Sequence, residues 1–452
     1  MRKCPVSFYG IAFGLSLFLS SFAQGECTTT AITAINAKYI PMKASLGDAT
    51  SGFKSLRGPG ACAQQYKWGT IVHHENKTYA VHGAIYQRFK APGELTSFLG
   101  FPVTDELTTP DTVGRYNHFQ QGSIYWRPCI GAFEVHGLIR NLWAAQSWEN
   151  GKLGYPKSNE LTTPDQVGRY SLFQGGTVYY HPSHGTHAIM GEFLRVWQDK
   201  GGLSGLGYPT GKMLCTSLGK CQQPFQNGTL DNLSSEFKER DFRQEIARRG
   251  IAIRNQGARG TCSVFTMNFL LEYAYTEMCG THMNDLSEEY LNHVTNLASN
   301  RTDDGDFFHN ILAGYNSYGI VREASLPYKS TYMFNGYNLP QTTINEGKSM
   351  LASNLKLKSS FLKPIGSTQG LSTAEFNAII RSLDSGVPVG LGRGHSMPIV
   401  GYKWDSNYDG GGYFIFRNSY GVGTGTNGYQ LESFGSVKST ANDAIVFERT
   451  NN

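Results

Sequence analysis

The chain has 452 residues, of which 40% are hydrophobic, 17% charged and 13% aromatic, and it carries a net charge of +5. This composition excludes a disordered chain, which would be poor in apolar residues and rich in charge, and so small a surplus argues for neither a nucleic acid nor an acidic membrane as partner. The 53 glycines, with 25 tyrosines and 26 phenylalanines, favour turn-rich structure containing β-strands.

Met1-Arg2-Lys3 is a short basic start, and Val6 to Phe22 is almost wholly apolar or small. Ser21-Phe22-Ala23 then offers small residues where a signal peptidase cuts. Residues 1–23 are therefore read as a secretory signal, with a membrane anchor as the alternative. No later run is long and apolar enough to span a bilayer, so no transmembrane segment is expected once the signal is removed. The predicted location is extracellular. Cys4 leaves with the signal. Cys27, Cys62, Cys129, Cys215, Cys221, Cys262 and Cys279 remain. That odd set leaves one thiol either for an intermolecular bond or for reactivity. Asn76, Asn227, Asn232 and Asn300 begin N-x-S/T sequons, which matter only in a host that glycosylates them.

Residues 24–236 read as one unit written four times. Leu99-Gly100-Phe101-Pro102, Leu153-Gly154-Tyr155-Pro156 and Leu206-Gly207-Tyr208-Pro209 recur every ~53 residues, and Leu46-Gly47 begins a decayed first copy. A second marker keeps the same beat: Phe119-Gln120, Phe173-Gln174 and Phe225-Gln226, with Tyr66-Lys67 as the first copy. The segments AVHGAIYQRF, EVHGLIRNLW and IMGEFLRVW space apolar residues as short amphipathic helices do, through Ile85 and Phe89, Ile139 and Trp143, Phe193 and Trp197. The Leu-Gly-aromatic-Pro segment reads as a turn, and FQQGSIYW and FQGGTVYY read as hairpin strands. A unit of ~53 residues buries little alone, so the copies are expected to pack on one another.

These copies resemble LGFP repeats, a module associated with the bacterial cell envelope, over roughly residues 30 to 232. The resemblance implies attachment to a cell surface, a cell wall or a glycan; a spacer without a ligand is the alternative. Tyr125, Trp126, Tyr179 and Tyr180 are aromatics suited either to stacking on sugars or to the core, and half of them are assigned to the core. Cys215–Cys221 spans a short loop and is an expected disulfide, with Cys27–Cys62 a second. Cys129–Cys279 would tie the two halves by elimination only, since six cysteines allow 15 connectivities.

Residues 237–452 carry the chemistry. In NQGARGTCSVF the glycines make a loop, and after Cys262 the apolar spacing becomes helical. A cysteine in the first turn of a helix meets the positive end of its dipole, which favours the nucleophilic thiolate. Such a nucleophile needs a histidine partner. His395 follows in GRGHSMPIVGY about 130 residues on, within the range of papain-type spacing. Asn418 ends the apolar run YFIFRN, where it can orient an imidazole.

This half resembles the papain-like cysteine proteases. The resemblance implies a catalytic Cys262, His395 and Asn418, with Gln256 supplying an amide to the oxyanion hole. LSEEYL at Leu286, YGIV at Tyr318 and NGY at Asn427 extend it. Arg259 and Val294 stand where the family has a disulfide, so both of its halves are missing together. Ser263 and Tyr420 replace the tryptophans that follow the nucleophile and the asparagine. Gly305-Asp306 replaces the paired glycines that bind substrate backbone, and Asp306 is expected to bring a charge to the cleft. Phe308 and Arg393 fall where side chains usually shape the second subsite, and Arg393 is expected to make it tolerant of acidic residues. The family's helical propeptide is not visible. Its place is taken by the repeats, which either block the cleft before processing or leave control to secretion alone.

The expected architecture is α+β: a two-lobed papain-like fold, one lobe helical and one β-barrel-like, behind four helix/β-hairpin repeats. The expected function is a secreted cysteine endopeptidase acting on proteins or peptides. The alternatives are an inert binding protein and a peptidase for cell-wall peptide crosslinks. No cofactor or metal is expected. Asp405-x-Asn407-x-Asp409-Gly410 begins like a calcium loop, but Phe416 stands at its twelfth position, so it is read as a turn between two strands. His181, His184 and His187 are read as turn residues. There is no phosphate loop, dinucleotide fingerprint or nucleic-acid motif.

Overall fold

A computed structural model describes residues 26–57, 60–216, 220–232, 239–280, 283–331, 339–351, 357–366 and 368–447. The expected signal, residues 1–23, lies outside the described residues. The chain divides into two compact units, one ending at Ala80 and one beginning at Val81. Among the described residues no helix is long and apolar enough to cross a membrane.

The first unit begins with the helix Thr29–Leu46, whose N-terminal turn is capped by the Thr28 side chain. Ala31, Ile35 and Leu46 on this helix bury against Tyr66 and Ile71 of the adjacent strands. The Cys27–Cys62 disulfide forms and fastens the start of the helix to the strand Cys62–Tyr66.

The second unit contains repeats two to four and the C-terminal half. Repeats two and three are each four-stranded antiparallel meanders, Leu107 to His136 and Leu161 to Met190, and the fourth has three strands. Each full meander runs into a helix, Gly137–Ala145 and Gly191–Asp199. The helices start two or three residues later than the apolar spacing predicts, because Glu134-Val135-His136 and Ile189-Met190 complete the preceding strand.

The recurring residues all have structural work. In the Leu-Gly-aromatic-Pro turn the glycine has φ of +71° at Gly100 and +76° at Gly207. The glutamine of the second marker folds back over that turn. Gln120, Gln174 and Gln226 Oε1 accept from the backbone N–H of Phe101 (3.0 Å), Tyr155 (2.9 Å) and Tyr208 (2.8 Å). A Cβ on Gly100 would lie 2.5 Å from the Gln120 oxygen, so the two markers require each other.

Successive repeats are then joined. The Tyr155 hydroxyl bonds Thr109 (2.8 Å) and Asp111 (2.7 Å) of the repeat before it, and Tyr208 does the same to Thr163 and Asp165. Trp143 and Trp197 donate from their indole N–H to the next turn, at Gly154 O and Gly207 O. Each apolar cluster is likewise shared: Ile139 and Trp143 pack with Leu153, Tyr155 and Phe173 of the following copy. Tyr125 and Tyr179 are core residues, while Trp126 and Tyr180 pack half-buried beside the clusters. Cys215–Cys221 closes the hairpin of the last repeat.

The C-terminal half has a helical side and a sheet side. Helix α1, Cys262–Cys279, is buried on almost every face, consistent with its apolar residues lying all round it. Helices α2, Glu288–Ser299, and α3, Phe308–Tyr318, pack together on one side of it. On the other lies a seven-stranded antiparallel sheet made of β1 (Glu239–Asp241), β2 (Ser359–Lys363), β3 (Val389–Gly392), β4 (Met397–Trp404), β5 (Gly412–Arg417), β6 (Tyr429–Ser433) and β7 (Asp443–Phe447). The order is β2-β7-β3-β4-β5-β6, with β1 added on β4. The segment 405–411, between β4 and β5, is the expected turn.

Among the described residues the repeats touch this half through several polar contacts. Arg240 on β1 is ion-paired with Glu192 of the third repeat's helix, and Lys157 Nζ donates to Glu277 O near the end of α1 (3.3 Å). The expected Cys129–Cys279 bridge is not formed. Both are free thiols, and they hydrogen-bond each other.

Candidate active site

Cys262 is the first residue of α1, so its sulfur meets the helix N-terminus. Burial alone would raise the thiol pKa. A hydrogen bond and charge interaction with His395 and backbone donors at Ser396 and Ser263 outweigh burial and lower it. The same contact with the thiol raises the His395 pKa against the opposing effect of burial, and Asn418 adds to the rise. The two shifts run in the directions that favour a thiolate beside an imidazolium.

His395 lies between β3 and β4, and Asn418 directly follows β5. His395 Nε2 lies 3.2 Å from Asn418 Oδ1, an acceptor, so Nε2 carries a hydrogen and Nδ1 is left for the sulfur. Asn418 is itself held. Its amide donates to Gln430 Oε1 (2.9 Å), and its Oδ1 also accepts from Ser419 N (2.7 Å). The Tyr420 ring stacks on the imidazole at 5.0 Å and 9°, covering the histidine as the lost tryptophan would.

Gln256 is buried beside this group. Its Oε1 accepts from Ser419 Oγ (2.5 Å), and its Nε2 donates to Arg259 O (2.8 Å). An amide nitrogen has two hydrogens, and this bond uses one of them.

Arg259 has a role that sequence reasoning missed. Its guanidinium is buried, ion-paired with Glu289 of α2 (2.5 Å) and Asp304 (2.7 Å), and lies over the Tyr328 ring at 4.5 Å. It also donates to Lys329 O (2.7 Å). These contacts tie the loop before Cys262 to α2, the link the absent disulfide would have made. Val294, at the other vacated position, is fully buried in the core.

A cleft of about 280 Å³ opens beside the sulfur, lined by Gly260, Cys262 and Ser263 on one wall, Gly305, Asp306 and Phe308 on another, and Gly392, Arg393 and Asp443 on the sheet side. All of its lining residues belong to the C-terminal half. Gly305 is obligatory: its φ is +68°, and a Cβ would lie 2.3 Å from Gly260 O.

The structure gives partners to the two charges expected at the cleft. The Asp306 carboxylate does not offer a free charge to the cleft. Its side chain is fully buried, accepts from Phe307 N (2.8 Å) and Asn310 (3.0 Å), and pairs with Arg301 (3.4 Å). Arg393 is paired with Glu432 of β6 and stacked over Phe416, so its positive charge is already compensated. The acid that sequence reasoning overlooked is Asp443, on β7. Nothing local marks it; only the register of β7 on β3, which pairs it with Gly392, brings it to the cleft wall.

A cysteine and a histidine that shift each other's pKa in opposite directions, with an amide on the imidazole and a cleft beside the sulfur, suit the hydrolysis of acyl groups. The comparisons agree. Residues 237–443 match the Papain family cysteine protease, and residues 99–151 and 153–205 match the LGFP repeat. The chain thus carries LGFP repeats followed by a papain-family cysteine peptidase domain. No curated protein matches the chain. Among solved structures it is similar to a digestive procathepsin L 3 of Tenebrio molitor larval midgut, at 19% identity over 46% of this chain and 68% of that one, with a TM-score of 0.34. It is also similar to xylellain, a cysteine protease from Xylella fastidiosa, at 13% identity over 47% of this chain and 85% of that one, with a TM-score of 0.38.

Proposed function

We propose that the protein is a secreted cysteine endopeptidase, with Cys262 as nucleophile, His395 as general acid and base, Asn418 as the residue orienting His395, and Gln256 as an oxyanion donor. The observation that carries this reading is the mutual contact of Cys262 and His395, with opposed pKa shifts on the two partners. The Cys262 thiolate attacks a peptide carbonyl carbon and the C=O electron pair moves to oxygen. The Gln256 amide and the Cys262 backbone N–H stabilise that oxyanion. The C–N bond breaks as the His395 imidazolium gives its proton to the departing amine. Water then attacks the thioester, His395 takes its proton, and the thiolate leaves the carboxylic product.

Gly305 and Asp306 offer backbone to the substrate in this reading, and Phe308 and Arg393 shape a side-chain pocket. The repeats serve as an attachment module for a cell surface or glycan. Support for export comes from the apolar N-terminal run and the two disulfides. An epoxide inhibitor of cysteine proteases is expected to modify Cys262 in folded, reduced protein, and wild type but not Cys262→Ala is expected to cleave a proteome-derived peptide library. Absence of both label and cleavage would leave the chain as a binding protein.

A further inference from the structure

Two cysteines of the second unit belong neither to a disulfide nor to the candidate active site: Cys129 and Cys279. Cys129 lies in the turn between the repeat-two strands Gly122–Arg127 and Gly131–His136. Cys279 is the last residue of α1, the helix that begins with Cys262. Each thiol is the other's hydrogen-bond partner, so this contact joins the repeats to the C-terminal half. The two formed disulfides are local by comparison. Cys27–Cys62 fastens a helix to a strand within the first unit, and Cys215–Cys221 closes one hairpin. The place of Cys129 is also particular to its copy. The same turn of repeat three, His181-Pro182-Ser183-His184-Gly185, carries Ser183 where Arg127-Pro128-Cys129-Ile130-Gly131 carries the cysteine. The thiol thus stands in the copy whose turn reaches α1. A second bond holds that approach: Lys157 Nζ donates to Glu277 O (3.3 Å), two residues before Cys279.

We propose that Cys129 and Cys279 form a redox latch, which a hydroperoxide closes by joining repeat two to the end of α1 and a dithiol opens again. The latch goes beyond the peptidase reading and does not rest on it. The order of attack follows from the surroundings of each thiol. The hydrogen bond from Cys279 lowers the Cys129 pKa, Arg127 adds to the fall, and both outweigh desolvation. The same bond, together with burial, raises the Cys279 pKa. Cys129, which is exposed, is therefore the thiolate that meets the oxidant, and the buried Cys279 is the resolving thiol. The Cys129 sulfur attacks the terminal oxygen of the hydroperoxide and the O–O bond breaks. Water or an alcohol departs, and a sulfenic acid is left on Cys129. The Cys279 sulfur then attacks the Cys129 sulfur, the S–O bond breaks, and hydroxide leaves as water with the Cys279 proton. The two thiols lose two electrons and the peroxide gains them. A dithiol reverses the step by two thiol–disulfide exchanges and is itself oxidised to a disulfide.

The consequence is one of connectivity. The closed bridge spans residues 129 to 279, and the start of the peptidase domain at residue 237 lies inside that span. A backbone cut where the repeats meet that domain therefore leaves the oxidised protein in one piece. In the reduced protein the halves are then held by non-covalent contacts such as Arg240–Glu192 and Lys157–Glu277. The oxidation state of the pair decides whether the peptidase half stays with the repeats.

The test uses full-length Cys262→Ala, which removes the competing nucleophilic thiol. After mild reduction and then hydrogen peroxide, a non-reducing peptide map should show Cys129 linked to Cys279 as the main product, and a dithiol should free both peptides. In Cys279→Ser the Cys129 peptide should instead be captured as a sulfenic acid by a 1,3-diketone. In Cys129→Ser, a change to the residue repeat three already carries at this turn, Cys279 should stay unmodified at the same dose. A second protein carries a site-specific protease sequence in place of residues 233–238 and an affinity tag ahead of the first repeat. Once cut and immobilised, it should keep its peptidase half when oxidised and retain at least 10-fold less of it when reduced. Separate capping of the two thiols, or oxidation of Cys279 in Cys129→Ser, overturns the couple. Equal retention in both states overturns the latch.

Discussion

The repeats and the peptidase half use their polar residues in opposite ways. In the repeats the recurring groups are satisfied by one another: Gln174 by the Tyr155 backbone, Tyr155 by Thr109 and Asp111, Trp143 by Gly154 O. In the peptidase half the residues of interest occur once each. Cys262 and His395 shift each other's pKa. Recurrence here marks residues that hold the fold, and the Cys262–His395 pair, which occurs once, marks the place where chemistry is offered. The contrast also bears on the repeats as a ligand-binding module, since their most regular residues are already occupied.

The sharpest break of this contrast is at the nucleophile. Cys262→Ala is expected to lower kcat about 10³-fold or more, because members of such a site act together, while the thermal midpoint stays near that of wild type. Next comes Arg259, a residue near the site with a structural task. Arg259→Ala strips the buried Glu289 and the half-buried Asp304 of their cation and should cost about 3–5 kcal/mol of stability, read from the denaturant midpoint. The repeats give a smaller effect with an internal control. Tyr155→Phe and Tyr208→Phe each remove a hydroxyl bonded to an aspartate of the preceding copy, so each should cost about 1.5–3 kcal/mol, and the two costs should match. Unequal costs would deny that the copies are energetically equivalent.

The least effect on activity is expected from the adjacent thiols. Cys129 sits on the hairpin turn of the second repeat and Cys279 at the last residue of α1. Their mutual hydrogen bond lowers the Cys129 pKa, and its nearness to Arg127 acts in the same direction, so Cys129 is the better thiolate of the two. Exposure to a low-molecular-weight disulfide should join them, Cys129 attacking first and Cys279 displacing the mixed disulfide. A non-reducing peptide map then shows one crosslinked peptide pair and unchanged turnover. Two separately capped thiols would refute it.

What was readable in the sequence follows from the range of the forces involved. The repeat period, the turns and the hairpins were legible because each depends on residues within one copy or its neighbour. The helix starts were misplaced because each strand runs directly into its helix with no loop between them. Cys262, His395, Asn418 and Gln256 were legible by their order and by family resemblance, and the structure brings them together. Their companions were not. Gln430, which holds Asn418, and Glu432, which neutralises Arg393, come from β6, and their pairing exists only once the sheet has formed. Arg393 and Asp306 were read as free charges because a sequence shows a charge and not its partner. Asp443 carried no signal at all, since its position depends on the register of β7 against β3.

The central claim is that Cys262 is held as a thiolate by His395. The most direct test is the rate of Cys262 alkylation by iodoacetamide across pH 4 to 9, followed by mass spectrometry of the Cys262 peptide. Wild type should react well below the pH at which an ordinary thiol ionises, and His395→Ala should move that titration upward toward the ordinary value. A wild-type profile that rises only at the ordinary thiol pKa, and that His395→Ala leaves in place, would contradict the account.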